Sequence, residues 1–197
     1  MKKLYIPEPF SGGILLSYRC TGECKHCMYA SSPKWKDNWI SENDLEEIIA
    51  QLSGKIQGHP SSSGIDIGIN QGLHFTGGEP FLNFDLLLKA VQMARESEIP
   101  STFVETNCFW CADEQTAREK LMRLKEAGLQ GILISVNPFI LEQIPFEKTE
   151  RAIAISREIF GRKSQDKSRQ SISFVLIAIK HSSTRWNHDR RASCCAC

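Results

Sequence analysis

The sequence predicts an α/β fold built on a parallel sheet, and two observations support this prediction. Short apolar runs of four to eight residues alternate along the chain with segments whose apolar residues recur at helical spacing. Such alternation is typical of right-handed βαβ units on a parallel sheet. A doubly wound sheet and a partial (β/α) barrel both fit. A closed eight-unit barrel takes about 250 residues, more than the 197 of this chain.

Five runs rich in apolar and β-branched residues are the predicted strands. The first is entered through Gly12-Gly13, and the second ends at Gly77-Gly78. Together with the helices between them they make about four to five strand–helix units. The predicted strands span residues 14–18, 73–76, 102–106, 131–136 and 172–179.

Four helices are expected between these strands. Ser41 is the predicted N-cap of the first, where Leu45, Ile49 and other apolar residues repeat on one face. Asp113 caps the third helix, and Gly128 ends it. The predicted helical segments span residues 41–56, 83–98, 113–128 and 145–160.

The composition is that of an ordinary globular protein. The chain has 24 basic and 23 acidic side chains, a net charge of +1, and 41% hydrophobic residues, values that argue against wholesale disorder. No apolar run reaches the roughly 18 residues of a membrane span. The basic start is followed by no apolar core of the kind found in secretory signals. We therefore expect a cytoplasmic protein with no membrane partner.

Eight cysteines fall into three groups, and the first group carries the strongest functional signal. Cys20, Cys24 and Cys27 form C-x3-C-x2-C directly after the first predicted strand. Three thiolates at this spacing can hold zinc or an iron–sulfur cluster, and sulfur ligation alone does not separate the two. Zinc would need a fourth ligand, for which His26 and His74 are candidates. A cubane on three cysteines would leave one iron open to a small molecule. The remaining alternative is that the three thiols bind no metal.

The other unusual motifs also follow strand ends. In α/β folds the loops at the carboxyl ends of the strands carry the chemistry. Gly77-Gly78-Glu79-Pro80 follows the second strand, where glycines allow close backbone approach to a ligand and Glu79 can accept a hydrogen bond from an ammonium. The loops after the third and fourth strands begin at Asn107-Cys108 and Ser135-Val136-Asn137.

With these motifs the chain resembles the radical SAM enzymes over residues 14–160. The resemblance rests on Cys-Thr-Gly-Glu-Cys-Lys-His-Cys at 20–27 and Phe-Thr-Gly-Gly-Glu-Pro at 75–80. It implies a partial (β/α) barrel and a [4Fe–4S] cluster on Cys20, Cys24 and Cys27, with the open iron chelated by S-adenosylmethionine. Reductive cleavage would give a 5′-deoxyadenosyl radical that abstracts hydrogen from a substrate. This implies an oxidoreductase of activating-enzyme-like or small-substrate type; the alternative is a non-catalytic iron–sulfur or zinc-binding fragment.

The resemblance also assigns residues to S-adenosylmethionine. His26 would lie by the adenine, and Gly77, Gly78 and Glu79 would bind the methionine ammonium. An electron donor such as flavodoxin or ferredoxin is implied, beside a protein or small-molecule substrate. Position at the strand ends predicts further polar contacts to the ligand from Asn107, Ser135 and Asn137.

Cys108 and Cys111 form a second pair with two interpretations. In one interpretation they ligate an auxiliary cluster or act as a redox pair. In the other, which we expect, they pack as thiols beside Phe109 and Trp110. Cys194, Cys195 and Cys197 could complete an auxiliary site.

The chain divides by composition near residue 160. Residues 162–197 carry eight Lys or Arg against two Asp, and their only large aromatic side chain besides Phe174 is that of Trp186. Stacking on nucleic-acid bases is therefore not expected. We predict a radical SAM core at 1–160 and, at 161–197, a last strand with a basic, cysteine-ended tail. The carboxyl end of the barrel is expected to be truncated or altered, and strand five lacks the glycine that often lies near the adenine.

Overall fold

A computed structural model describes residues 8–36, 38–57 and 72–161. Four strands, β1 (Ser11–Leu15), β2 (Gly72–Thr76), β3 (Thr102–Thr106) and β4 (Gly131–Ile134), form one parallel sheet in the order β1-β2-β3-β4. The order in the sheet is the order along the chain. In a doubly wound sheet, by contrast, the order of the strands reverses at a switch point. The described part of the chain is therefore an α/β partial barrel.

Five α-helices lie in the described residues: α1 (Glu42–Leu52), α2 (Phe84–Glu96), α3 (Glu114–Ala127), α4 (Pro138–Leu141) and α5 (Phe146–Phe160). Side-chain oxygens of Ser41, Asn83 and Asp113 accept backbone N–H groups in the first turns of α1, α2 and α3. These caps satisfy N–H groups that have no partner inside the helix. The four predicted helices are confirmed, and α4 is an additional single turn.

Three strands differ at an end from the sequence prediction, β2 only in that it begins one residue earlier, at Gly72. β1 begins at Ser11 and ends at Leu15, because Gly12 and Gly13 pair with Leu73 and His74 of β2. Glycine disfavours a strand by propensity, and tertiary pairing overrides that preference here. β4 ends at Ile134, before the predicted end at Val136. The predicted strand at 172–179 and the cysteines of the tail lie outside the described residues.

The two faces of the sheet differ in character. Side chains alternate between faces along each strand, so Leu73, Phe75, Val104 and Ile132 pack against the helices in the main core. The opposite, inner face carries Phe103 and Leu133 as a small separate apolar cluster, together with polar residues. The core thus lies between sheet and helices, while the inner face borders the site described below.

The helices of the described residues include none that is both long and apolar enough to cross a bilayer.

Candidate active site

A cavity of about 350 Å³ lies at the carboxyl ends of the four strands. This volume falls within the range of about 300–1,000 Å³ that is usual for small-molecule sites. Apolar side chains of Leu133, Val136, Phe139 and Ile140 form part of its wall. The structure brings together nearly all the residues that the sequence assigned to the site, since the cavity is lined by Cys20, Cys24, His26, Cys27, Gly77, Gly78, Asn107, Ser135 and Asn137.

The cysteine loop between β1 and α1 is folded by its own backbone. The N–H of Cys27 donates to the carbonyl of Cys24, and the N–H of Cys20 donates to the carbonyl of Ser32. All three thiols are partly exposed, and none forms a disulfide. Burial raises the pKa of Cys20 to about 11 and also raises the pKa of Cys24. Metal binding to such thiols releases their protons, because the thiolate is the ligand.

The donor set fits an iron–sulfur cluster. Three thiols face one cavity that has room for a bound group, and three cysteines leave one iron of a cubane without a protein ligand. No three His, Cys, Asp or Glu side chains of the described residues converge on a site for a single metal ion. Of the two histidines considered as a fourth ligand, His26 lines the cavity with the cysteines, and its ring packs edge-on against Phe139 with ring centres 4.5 Å apart. His74 is not among the lining residues and faces Glu105.

The Gly77-Gly78 turn is packed directly on the segment that leads into Cys20. The N–H of Gly78 donates to the carbonyl of Ser17 at 2.7 Å, and the next N–H donates to the carbonyl of Arg19 at 2.9 Å. A Cβ on Gly78 would lie 1.8 Å from the Arg19 oxygen, and Gly77 has a φ of +120°. Only glycine allows this approach. The two glycines therefore position the cysteine loop, besides presenting their backbone to the cavity.

The carboxylate of Glu79 is buried behind this turn. Its side chain is 1% exposed and accepts hydrogen bonds from the N–H of Phe81, the hydroxyl of Thr106 and the N–H of Asn107. Burial raises the pKa of Glu79 to about 7 although these donors act in the opposite direction. Glu79 is not among the residues that line the cavity. Its contact with the methionine ammonium stays a prediction, and the structure adds a role in joining β2 to β3.

Asn107 connects the end of β3 to the cysteine loop. Its amide nitrogen donates to the hydroxyl of Thr21 at 3.0 Å and lies 3.6 Å from the sulfur of Cys20. Its side-chain oxygen accepts the N–H of Phe109. The predicted contact to the cofactor is thus accompanied by an observed contact to the first cysteine.

Ser135 and Asn137 follow β4 and also line the cavity. The N–H of Ser135 donates to the carbonyl of Thr106, which continues the β3–β4 pairing past the strand end. The side-chain oxygen of Asn137 caps α4 by accepting the N–H groups of Phe139 and Ile140. Capping therefore fixes the orientation of this amide at the cavity wall.

Cys108 and Cys111 lie outside the cavity and are completely buried. Burial raises the pKa of Cys108 well above its usual range and that of Cys111 to about 12. Between them Trp110 stacks on Phe81, with ring centres 4.1 Å apart, and donates its indole N–H to Thr106. This environment agrees with the packed interpretation of the pair.

Sequence reasoning missed three cavity residues on β2 and β3: Thr76, Glu105 and Thr106. The signal was present in the strand Thr-Phe-Val-Glu-Thr, because a charged residue in an otherwise apolar strand must find a partner or a cavity. Alternation could have placed Glu105 on the face opposite Val104. The packing of the helices decides which of the two faces is the inner one.

Comparison with known proteins agrees with the geometry. The profile of the Radical SAM superfamily matches residues 14–163. The chain is 23% identical over 136 residues to YydG of Bacillus subtilis (strain 168), whose name assigns it to peptide biosynthesis. It is 26% identical over 135 residues to the mitochondrial GTP 3′,8-cyclase of Arabidopsis thaliana.

The matched segments cover 69% and 68% of this chain but only 37% and 30% of those two proteins, so the chain spans about a third of the length of the curated relatives. The superfamily match, by contrast, covers most of the chain and includes the end of β1, the cysteine loop, the Gly-Gly turn and the strands β2, β3 and β4. The chain belongs to the Radical SAM superfamily.

Proposed function

We propose that this chain is an enzyme that holds a [4Fe–4S] cluster on Cys20, Cys24 and Cys27 and, with S-adenosylmethionine bound, generates a 5′-deoxyadenosyl radical that takes hydrogen from a substrate. One observation carries the proposal: the three thiols and the Gly77-Gly78 backbone face a single cavity at the strand ends. Superfamily membership supports the same conclusion at the level of the family.

The chain's own residues bind and orient the ligand in this proposal. The Gly77-Gly78 turn receives the methionine end, with Glu79 placing a negative charge behind it. His26, packed against Phe139, provides an aromatic surface for the adenine. The apolar wall of the cavity limits the access of water to the reacting atoms. Polar contacts to the rest of the ligand come from Asn107, Ser135 and Asn137.

The substrate class is proposed only broadly. Of the two relatives, one is named for peptide biosynthesis and the other for cyclisation of GTP, so peptides and small molecules are both candidates. An activating-enzyme-like reaction on a protein or a reaction on a small substrate fits this range. Electrons would come from a low-potential carrier such as flavodoxin or ferredoxin, because a sulfonium is hard to reduce.

Anaerobic reconstitution tests the proposal. The full chain should become brown with about four irons per chain, and dithionite with S-adenosylmethionine should then yield 5′-deoxyadenosine and methionine. A Cys24→Ala variant treated identically is the control and should yield neither. A brown protein that forms no 5′-deoxyadenosine would favour the non-catalytic fragment. A colourless protein holding one zinc ion would contradict both cluster hypotheses.

A further inference from the structure

The side-chain amide of Asn107 is held in one orientation at the end of β3. Its oxygen accepts the N–H of Phe109 at 3.0 Å, which turns the amide nitrogen toward the cysteine loop. That nitrogen donates to the hydroxyl of Thr21 at 3.0 Å and lies 3.6 Å from the sulfur of Cys20. An amide NH2 group has two hydrogens, and these two acceptors engage both. The orientation of the amide therefore follows from its partners on both sides.

The backbone of Asn107 is fixed in the same way as its side chain. Its N–H donates to the buried carboxylate of Glu79 at 2.8 Å, and the residue is only 9% exposed. A hydrogen bond in such a position is electrostatically stronger than one in water, because little solvent screens it. The N–H that faces Cys20 is therefore built into the packing of the strand end.

The sulfur of Cys20 is a suitable acceptor for this N–H. Sulfur is larger than oxygen, so a distance of 3.6 Å between nitrogen and sulfur lies within hydrogen-bonding range. The sulfur of Cys27 receives a comparable donor, because the backbone N–H of Ser31 lies 3.4 Å from it. The contact to Cys20 differs in that a side chain makes it. A substitution can therefore remove this contact without altering the backbone.

Hydrogen bonds to the sulfurs of an iron–sulfur cluster affect how easily the cluster is reduced. Reduction adds one electron from the donor and makes the cluster and its sulfur ligands more negative. An N–H group stabilises this more negative state more than it stabilises the oxidised state, so it raises the reduction potential. A higher potential eases the transfer of the electron from the donor to the cluster.

We propose that Asn107 is a positioning residue that donates a hydrogen bond to the sulfur of Cys20 and thereby raises the reduction potential of the cluster. This inference rests on the proposed function, because it requires a cluster on Cys20, Cys24 and Cys27. It goes beyond the contact between Asn107 and S-adenosylmethionine, because Asn107 acts here through a cysteine and does so before any S-adenosylmethionine is bound.

Potentiometric titration of the reconstituted full chain, followed by EPR without S-adenosylmethionine, tests the inference. Asn107→Asp keeps the oxygen that accepts the N–H of Phe109, and the hydroxyl of Thr21 can donate to its second oxygen. The variant keeps the shape of the site and replaces the N–H beside Cys20 by a negative charge. The reduction equilibrium should shift roughly tenfold toward the oxidised cluster, which lowers the potential of a one-electron couple by about 59 mV. Asn107→Leu, which removes the donor without adding a charge, should lower the potential by less.

Two controls separate this role from a general effect on the protein. Gln92→Glu makes the same change from amide to carboxylate at an exposed position on α2 and should leave the potential unchanged. Thr21→Val removes the other acceptor of the Asn107 amide and leaves the donor to Cys20 in place, so the potential should again be unchanged.

A potential that falls in neither Asn107 variant, with the full iron content bound, overturns the inference. An equal shift in Thr21→Val overturns it as well, because Asn107 would then act only by holding the loop. Loss of the cluster from both Asn107 variants would assign this residue to cluster assembly and would also overturn the inference. Failure of the proposed function is read separately, from the iron content and the 5′-deoxyadenosine yield of the unaltered chain.

Discussion

The carboxylate of Glu79 accepts the backbone N–H of Asn107 at 2.8 Å, which joins the turn after β2 to the end of β3. The side chain of Asn107 in turn donates to Thr21 and lies 3.6 Å from the sulfur of Cys20. A continuous set of contacts therefore runs from the Gly-Gly turn through β3 to the first cysteine. Changes behind the turn should affect the cysteine loop although they touch no thiol.

Stability should depend on pH through Glu79. Because burial raises the pKa of Glu79 to about 7, its carboxyl group is protonated more readily in the folded state than in the unfolded state, and protonation therefore stabilises the fold. This stabilisation of the folded state is complete below the unfolded pKa of about 4.5 and is lost as the pH rises through 7. Glu79→Gln does not titrate. The free energy of unfolding of the unaltered chain, relative to this variant, should fall by about 2–3 kcal/mol between pH 5 and pH 8.

Urea denaturation at pH 5, 6, 7 and 8 measures this difference. Glu46→Gln is the matched control, since it changes an exposed carboxylate on α1 and should follow the unaltered chain at every pH. A difference between the unaltered chain and Glu79→Gln that is constant with pH would mean that Glu79 titrates normally in the folded protein.

Gly78→Ala should disrupt the cysteine loop. The new Cβ would lie 1.8 Å from the carbonyl oxygen of Arg19, so the backbone must move. Overpacking of this kind costs about 1–3 kcal/mol or more. We expect a lower unfolding midpoint and a clear loss of iron after reconstitution, measured by denaturation and by iron analysis.

Gly12→Ala is the control for that variant, because a Cβ on Gly12 would have its nearest neighbour, in Leu73, at 3.9 Å. This is an ordinary contact distance, and the change should leave iron content intact. Normal iron in Gly78→Ala would show that the turn and the cysteine loop move independently.

Alanine at Cys20, Cys24 or Cys27 should each abolish the cluster. Loss of one thiolate leaves two irons of a cubane without a protein ligand, so the absorption expected at ~400 nm should disappear. Cys108→Ala is the comparison, because this thiol lies outside the cavity. Any single variant of the first three that retains the full iron content would remove that cysteine from the ligand set. Loss of about half the iron in Cys108→Ala would instead establish an auxiliary cluster.

Thiol alkylation should distinguish the two groups of cysteines. Among the cysteines of the described residues, iodoacetamide at pH 8 should modify Cys24 and Cys27 of the iron-free native chain first. Both are partly exposed, and Cys20, although also partly exposed, has a pKa that burial raises to about 11. Cys108 and Cys111 should react only on unfolding, because they are fully buried and burial raises the pKa of each. Peptide mapping by mass spectrometry gives the order. Native Cys108 reacting as fast as Cys27 would contradict the packed interpretation.

Local signals determined the helices and the identity of the site. Ser41 and Asp113 cap helices as predicted, because a cap needs only a side chain and the N–H groups two or three residues ahead. Gly128 ends α3 with a φ of +119°, a conformation that glycine adopts without strain. The C-x3-C-x2-C spacing is equally local. Parallel strands then bring the loops that follow them to one edge, so most site residues could be named from the sequence.

Tertiary structure alone decided the partners of the buried polar groups. Glu79 meets Thr106 and Asn107 across 27 and 28 residues, and no local pattern reveals that its carboxylate lies behind the turn. Gly13 proved to be part of a strand whose missing side chain makes room for His74. These contacts depend on strand register, which is set by how the apolar faces of all the elements fit together. The sequence thus determined which groups the site contains, whereas the packing of the sheet decided which of them are buried and which face the cavity.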